Sequence, residues 1–288
     1  MPLNTASVGR ATDFIEHEVD ARWLMAYAAS LGDLNPNYMD TAAGTVCAHP
    51  VFPVCLEWPP ILATRALLGD QLTNDESARG VHAGHDLHIF RPILAGSILR
   101  TKATLIGVES IKPGAGYTLR LDTVDAAENL VCQTFQYGIY RGVSVEGDAK
   151  ASAAAPAVPI TSPLNESTTH ISVPAGCAHT YTECARIWNP IHTDRQFAQA
   201  AGLPDIILHG TATLALAISE LVNQFTQGDA DRVVRLGGRF AAMVFMPADL
   251  QLRASDCQRG DDGLNSVSFE VSNPNGETAI NGGFFVFS

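Results

Sequence analysis

Length, composition and charge exclude several classes of protein for this chain. Its 288 residues are 46% hydrophobic and 17% charged, a balance that supports a substantial buried core and excludes a chain that is disordered throughout. With 18 Lys and Arg against 30 Asp and Glu, the net charge is −12, and such a surface repels nucleic-acid phosphates and anionic lipids; we therefore expect no nucleic-acid partner and no membrane partner.

Each half of the chain contains one apolar helical segment followed by strand-like segments. Residues 53–68 and 206–222 are rich in Ala and Leu with few turn residues, which predicts two largely buried helices. After each of them come segments rich in Val, Ile, Thr, Phe and Tyr between Gly, Asn, Asp and Pro, a pattern typical of antiparallel strands. The sequence therefore predicts an α+β fold in which each antiparallel β-sheet wraps its own long buried helix.

A segment rich in Ala, Pro and Ser separates these two patterns. Residues 143–170 have little periodic hydrophobicity, which predicts a linker. It divides the chain into an amino-terminal domain over 1–142 and a carboxy-terminal domain over 171–288.

The two halves also share residues at matched positions, which predicts an internal duplication. Four residue types recur at a constant offset of 154, as Tyr27 and Tyr181, Asn35 and Asn189, Pro36 and Pro190, and Asp40 and Asp194.

One motif in the second half carries a family resemblance. Asn189-Pro-Ile-His192 is followed 17 residues later by the pair His209-Gly210, and this arrangement resembles the hydratase signature of the MaoC-like dehydratase family. The resemblance implies a tandem, or double, hotdog fold. It further implies (R)-specific hydration of a trans-2-enoyl thioester of coenzyme A, or the reverse dehydration, with coenzyme A as part of the substrate and no separate cofactor.

The chemistry of hydration fits the same residues. Adding water to an enoyl thioester needs an acid/base group, which His192 supplies near neutral pH. It also needs a donor for the charge that develops on the thioester oxygen, which the Gly210 N–H at a helix start supplies. We expect substrate contacts from a wider set of residues, namely Tyr181, Glu183, Asn189, His209, Gly210 and Arg239, with Arg186 as a further candidate for phosphate binding.

The chain departs from the family motif at the acid. The family pairs its His with an Asp, but Ile187 occupies that position, and isoleucine cannot transfer a proton. The first half keeps the acid as Asp33 and has Tyr38 in place of the His, while Cys55 and Leu56 replace the His-Gly pair at the same offset. By the resemblance, the first half has given up catalysis and accommodates the acyl chain.

Three carboxylates could replace the missing acid. Asp194 lies two residues after His192, and we name it with His192 as the catalytic pair, although Asp40 at the matched position favours a loop cap for Asp194. Glu183 lies one helical turn before Ile187 and could equally be a solvated helix carboxylate. Asp33 could act from the first half.

Two other functions stay open. A non-catalytic acyl-CoA-binding protein is favoured by Ile187, and a thioesterase could use the same fold.

The histidines of His82-Ala-Gly-His85-Asp-Leu-His88 do not predict zinc, because a strand would place His85 on the face opposite to the other two; we predict no metal. Hotdog proteins commonly pair, so we expect a homodimer.

The cysteines and the amino-terminal segment predict an intracellular protein. The six cysteines have irregular spacing without a Cys-x-x-Cys pair, which favours free thiols. Residues 1–20 lack the basic start and apolar run of a secretory signal. Cytoplasm, peroxisome and mitochondrion are not distinguished.

Overall fold

The computed structural model of the protein describes residues 2–67, 72–159 and 162–288. Its helices are α1 Ala21–Ser30, α2 Pro36–Met39, α3 Pro53–Leu67, α4 Asn74–Ala78, α5 Cys177–Ala185, α6 Arg195–Ala200 and α7 Gly210–Thr226. Short 3₁₀ helices cover Thr5–Ser7, Pro190–His192 and Ala230–Arg232. Its strands are β1 Leu3–Asn4, β2 Ile15–Val19, β3 Gly80–Ile89, β4 Ser97–Ile111, β5 Gly114–Val124, β6 Leu130–Arg141, β7 Val145–Glu146, β8 Lys150–Ala151, β9 Thr169–Val173, β10 Val233–Phe240, β11 Ala248–Ala254, β12 Gln258–Arg259, β13 Asn265–Ser272 and β14 Thr278–Phe287.

The chain forms two compact units whose boundaries differ from the predicted domains. The first unit comprises Met1–His17, Leu56–His88 and Ile98–Val158; the second comprises Glu18–Cys55, Ile89–Ser97 and Pro159–Ser288. The second unit includes the early segment Glu18–Cys55 because α1, which lies in that segment, packs against α5. At that contact the matched residues Tyr27 and Tyr181 are both fully buried, with their ring centroids 5.7 Å apart.

The first unit contains most of α3 and an antiparallel sheet with the strand order β2-β4-β5-β6-β3. β4 and β5 are long and pair from Arg100 and Val124 to Ile111 and Gly114, with a register shift between Leu105 and Gly107. Alternate residues of these strands point inward because successive side chains of a strand face opposite sides. They bury an apolar core that includes Leu3, Ala103, Leu105, Val108, Leu119, Leu121 and Tyr140.

The second unit contains α7 and a sheet with the order β10-β14-β13-β11-β9. Every residue of α7 from Thr211 to Ser219 is buried, as expected for the central helix of a wrapped sheet. A β-bulge interrupts the pairing of β10 with β14 between Gly237 and Arg239, where the pair Gly237-Gly238 tolerates the local bend.

Two details of the predicted organisation are corrected. The helix predicted over residues 206–222 begins later, at Gly210, because Ile207 forms a bridge with Phe245 and the Leu208 N–H donates to the Val244 carbonyl. The predicted linker is partly strand, since β7 pairs with β1, β8 pairs with β4, and β9 begins at Thr169. The helix predicted over 53–68 is found as α3, and Leu68 lies outside the described residues.

No helix within the described residues is long and apolar enough to cross a membrane.

Candidate active site

The predicted motif forms a tight loop after α5. Helix α5 ends where Arg186 adopts a left-handed conformation with φ of 57°, and the Ile187 N–H donates back to the Thr182 carbonyl. The chain then makes one 3₁₀ turn over Pro190–His192, in which the His192 N–H donates to the Asn189 carbonyl. This turn places His192 in a buried position at the end of the loop.

The hydrogen bond of His192 fixes which ring nitrogen is basic. Nδ1 lies 2.8 Å from the Ile207 carbonyl oxygen, and a carbonyl only accepts, so Nδ1 carries the proton in the neutral ring. Nε2 therefore keeps its lone pair, and no described residue donates to it. Burial lowers the pKa of His192 to about 4, against the opposing effect of the Ile207 carbonyl. His192 is consequently a neutral base at physiological pH.

His209 stacks directly on His192. The ring centroids are 3.6 Å apart with an interplanar angle of 25°, and Nε2 of His209 lies 3.2 Å from the Thr182 hydroxyl. Tyr181 covers His209 at a centroid distance of 5.0 Å. Burial, with a further contribution from His192, lowers the pKa of His209 well below its usual value. The two rings form a neutral stacked pair whose orientation is fixed by hydrogen bonds from different elements.

Helix α7 begins immediately after this pair. His209 is its N-cap residue and makes no side-chain cap hydrogen bond, so the first N–H groups of the helix lack the usual side-chain acceptor. Gly210 is closely packed, because a Cβ there would lie 3.0 Å from the Phe240 ring and the ring would have to shift. The adjacent Thr211 hydroxyl accepts a hydrogen bond from Tyr181 at 3.1 Å. The arrangement presents N–H donors beside the histidine pair.

Ile187 occupies the same backbone position as Asp33 of the first half. Each N–H donates to the carbonyl five residues earlier, Ile187 to Thr182 and Asp33 to Ala28. The Ile187 side chain is 6% exposed and supplies only apolar surface. The candidate site thus has an isoleucine where the family motif has its acid.

The two carboxylates nearest to His192 in the sequence, Asp194 and Glu183, make other interactions. Asp194 caps α6, with Oδ1 accepting the Phe197 N–H at 3.0 Å, and it is solvent-exposed. Glu183 is also exposed and lies 3.5 Å from the indole nitrogen of Trp188. The structure shows no hydrogen bond between either carboxylate and His192 within the described residues. Asp194 as a catalytic partner and Glu183 as a substrate contact stay predictions.

The remaining predicted substrate-binding residues lie around the loop and on β10. Asn189 is half-buried, and its side chain makes no cap hydrogen bond to the 3₁₀ turn. Arg239 is exposed on β10 and forms no ion pair with any described residue. The Arg186 guanidinium lies 3.7 Å from the centroid of the Trp23 ring, stacked on its face.

The first half has a different helix start. His49 is the counterpart of His209 in the first half. The residue before each histidine, Ala48 or Leu208, donates its N–H to a carbonyl of a neighbouring segment, and each ring lies beside the matched tyrosine. The match to Cys55 and Leu56 is therefore corrected: Pro50 stands at the position of Gly210, and proline has no N–H.

Sequence inspection missed two groups in these units. Thr182 holds His209, but its role depends on a contact 27 residues away that no local pattern reveals. Glu57 is 2% exposed in the first unit, where the Thr134 hydroxyl donates to its carboxyl. A glutamate within an apolar helix was the available signal for the second case.

Burial raises the pKa of Glu57 to about 7, with the Thr134 hydrogen bond opposing the shift. Since the folded-state pKa exceeds the unfolded one, the stability linked to Glu57 is present below pH 4.5 and is lost as the pH rises through about 7. We expect Glu57→Gln to raise the midpoint of urea unfolding at pH 8.5 and to have less effect at pH 5. The exposed control Glu109→Gln should leave the urea midpoint unchanged at both pH values. A greater gain for Glu57→Gln at pH 5 than at pH 8.5 would contradict the raised pKa of Glu57.

Comparison with known proteins indicates the family and the fold of this chain. Residues 160–278 match the MaoC like domain, and residues 6–133 match the FAS1-like dehydratase domain region. The chain belongs to the MaoC-like dehydratase family. A MaoC-like dehydratase from Phytophthora capsici has a similar structure, with a TM-score of 0.81 and 22% identity over 99% of this chain and 97% of that one. This likeness confirms the tandem hotdog fold.

Curated relatives share shorter stretches with this MaoC-like chain. Mouse peroxisomal multifunctional enzyme type 2 is 25% identical over 60% of this chain and 24% of its own length. Peroxisomal enoyl-CoA hydratase 2 of Arabidopsis thaliana is 43% identical over 20% of this chain and 19% of its own. The matches thus span about a quarter or less of these relatives.

Proposed function

We propose that this MaoC-like protein catalyses (R)-specific hydration of a trans-2-enoyl-CoA to a 3-hydroxyacyl-CoA, or the reverse dehydration. The observation that carries the proposal is His192, whose Nδ1–H is held by the Ile207 carbonyl so that Nε2 is a neutral base beside the start of α7. The name of the Arabidopsis relative supports the choice of substrate.

His192 alone completes the proton transfers of this reaction. Nε2 takes a proton from water as the water oxygen bonds to C3, and the electron pair of the double bond moves onto the thioester oxygen. The N–H groups at the start of α7, Gly210 first, hydrogen-bond that oxygen. The imidazolium then returns its proton to C2, so that H and OH have been added and the histidine is neutral again. Burial lowers the pKa of His192, which makes the imidazolium a stronger acid in the second step and the neutral ring a weaker base in the first.

A non-catalytic acyl-CoA-binding protein is the second candidate. Ile187 favours it, because this buried apolar residue stands where the family motif has its acid. A binding protein would take up the same thioesters without turnover, and it would be indifferent to the basicity of His192.

Loss of the ultraviolet absorbance of the conjugated thioester separates these candidates. A panel of short, medium and branched trans-2-enoyl-CoAs should include at least one that loses absorbance and yields the (R)-3-hydroxy product. Ellman reagent added in parallel should detect no released thiol, which excludes a thioesterase. Saturable binding of the whole panel without absorbance loss would overturn the proposal in favour of the binding protein.

Restoring the family acid should raise the rate. We expect Ile187→Asp to increase kcat by about tenfold or more, since a positioned acid/base group contributes a factor of about 10²–10⁴. Ile187→Asn is the matched control, because asparagine has the size and polarity of the aspartate without its proton transfer. Equal rates for the two variants would show that this position does not serve the chemistry.

A homodimer and the acyl-chain role of the first half stay predictions.

A further inference from the structure

The second unit contains a cavity of about 800 Å³ at the first half's copy of the motif loop. One wall is the loop from Leu31 to Pro36; the opposite wall is α7, through Leu216, Ser219, Glu220 and Asn223. This volume lies within the range of about 300–1,000 Å³ that is usual for small-molecule sites. The cavity therefore has room for a ligand.

Two carboxylates face this cavity without a compensating cation. Asp33 is 8% exposed; its Oδ1 accepts the Asn35 N–H at 3.1 Å, and its Oδ2 accepts no hydrogen bond from any described residue. Glu220 is half-buried, and burial together with the Asp33 charge raises its pKa. An acyl chain would not fit such a lining, because it would leave these groups desolvated and unpaired.

The neighbouring histidines do not neutralise the pair. Nδ1 of His49 accepts the Val51 N–H, so the neutral ring donates through Nε2 to the Ser219 hydroxyl at 3.2 Å. Burial lowers the pKa of His49 to about 4, so it carries no charge at neutral pH. His170 lines the other side and is already paired with Asp249 at 2.9 Å. The lining residues include no Lys and no Arg.

The lining chemistry selects one kind of cation. A primary ammonium donates hydrogen bonds, which carboxylate, hydroxyl and amide oxygens accept; these are the groups of Asp33, Glu220, Ser219 and Asn223. A quaternary ammonium needs aromatic faces, and no Phe, Tyr or Trp lines the cavity. A metal ion is disfavoured, because the described residues include no group of three or more His, Cys, Asp or Glu side chains placed to hold one.

We infer that this cavity is a second binding site, which takes a small organic molecule with primary ammonium groups between Asp33 and Glu220. The inference does not rest on the proposed hydratase function. It assigns a role to Asp33, the acid that the first half retains. That half has Tyr38 in place of His192 and no N–H at the position of Gly210.

Calorimetric titration of the full chain with 1,4-diaminobutane tests the inference. We expect saturable binding that Asp33→Asn and Glu220→Gln each weaken by about tenfold or more, as for the loss of one partner of a charged hydrogen bond. Asparagine can still accept the Asn35 N–H, so the loop should stay folded, which thermal unfolding can verify. Asp261→Asn, an exposed change of the same charge outside the cavity, is the matched control and should bind as the native chain does.

The same titration defines the contradicting results. Choline should show no saturable binding, and equal binding of choline and the diamine would overturn the selection of a primary ammonium. No saturable diamine binding, or equal affinity in the double variant Asp33→Asn/Glu220→Gln, would overturn the site itself. Magnesium chloride at matched ionic strength measures the effect of salt, and a full reproduction of the diamine signal by magnesium would also contradict the inference.

Discussion

Replacing His192 by glutamine should lower kcat for enoyl-CoA hydration by about 10³-fold while leaving thioester binding nearly unchanged. Glutamine can still donate a hydrogen bond toward the Ile207 carbonyl that now holds Nδ1, but it cannot accept and return a proton. General acid–base catalysis contributes a factor of about 10²–10⁴, and here one residue performs both transfers. The measurement is the initial rate of absorbance loss, with binding followed separately by calorimetry.

His170→Gln is the control for this experiment. His170 is an exposed histidine of the same unit, paired with Asp249 rather than with the motif loop, and its replacement should leave kcat within about twofold. A His192→Gln enzyme that retains the native rate would contradict the role of His192 as the proton-transfer group.

Acidification from pH 6.5 to pH 4 should unfold the protein. Burial lowers the pKa values of His49 and His192 from 6.5 to about 4 and that of His85 to about 3. Because the unfolded chain binds these protons at higher pH, the stability linked to each histidine is present above pH 6.5 and is lost as the pH falls toward 4. Each contributes about 3 kcal/mol, and together they approach the total stability of about 5–15 kcal/mol of a typical protein. Circular dichroism during acid titration would measure this transition.

His85→Leu provides the most direct test that buried neutral histidines cause the acid unfolding. Neither ring nitrogen of His85 has a hydrogen-bond partner among the described residues, so leucine loses no bond and removes the group that the unfolded state protonates. The variant should shift the acid transition to lower pH and change the stability little at pH 8. An unchanged transition would show that other groups control the acid response.

The parts of the candidate site that are encoded locally can be named from the sequence. His192 and Gly210 lie in a loop and at a helix start, and the motif that resembles the family signature contains both; their roles stay predictions. The stacking of His192 on His209 and the hydrogen bond from Thr182 could not be predicted, because they depend on how α5 and α7 pack, and packing is not visible in local periodicity.

The fold was predictable at the level of elements and less so at their boundaries. Two buried helices and antiparallel strands follow from composition, whereas the start of α7 is set by the bridge between Ile207 and Phe245. The division into units depends on Tyr27 meeting Tyr181, a contact between residues 154 positions apart. Domain boundaries inferred from the composition of the predicted linker alone could not reveal this contact.

The burial of Tyr27 against Tyr181 has a consequence for how this protein is made. Translation at about 5–20 residues per second separates the synthesis of the two tyrosines by roughly 8–30 s. During that interval the apolar side of α1, which carries Trp23, Leu24 and Tyr27, has no partner from the later half. The nascent chain must keep this helix from aggregating until α5 leaves the ribosome, and a gene divided between the halves would leave each fragment with an incomplete second unit.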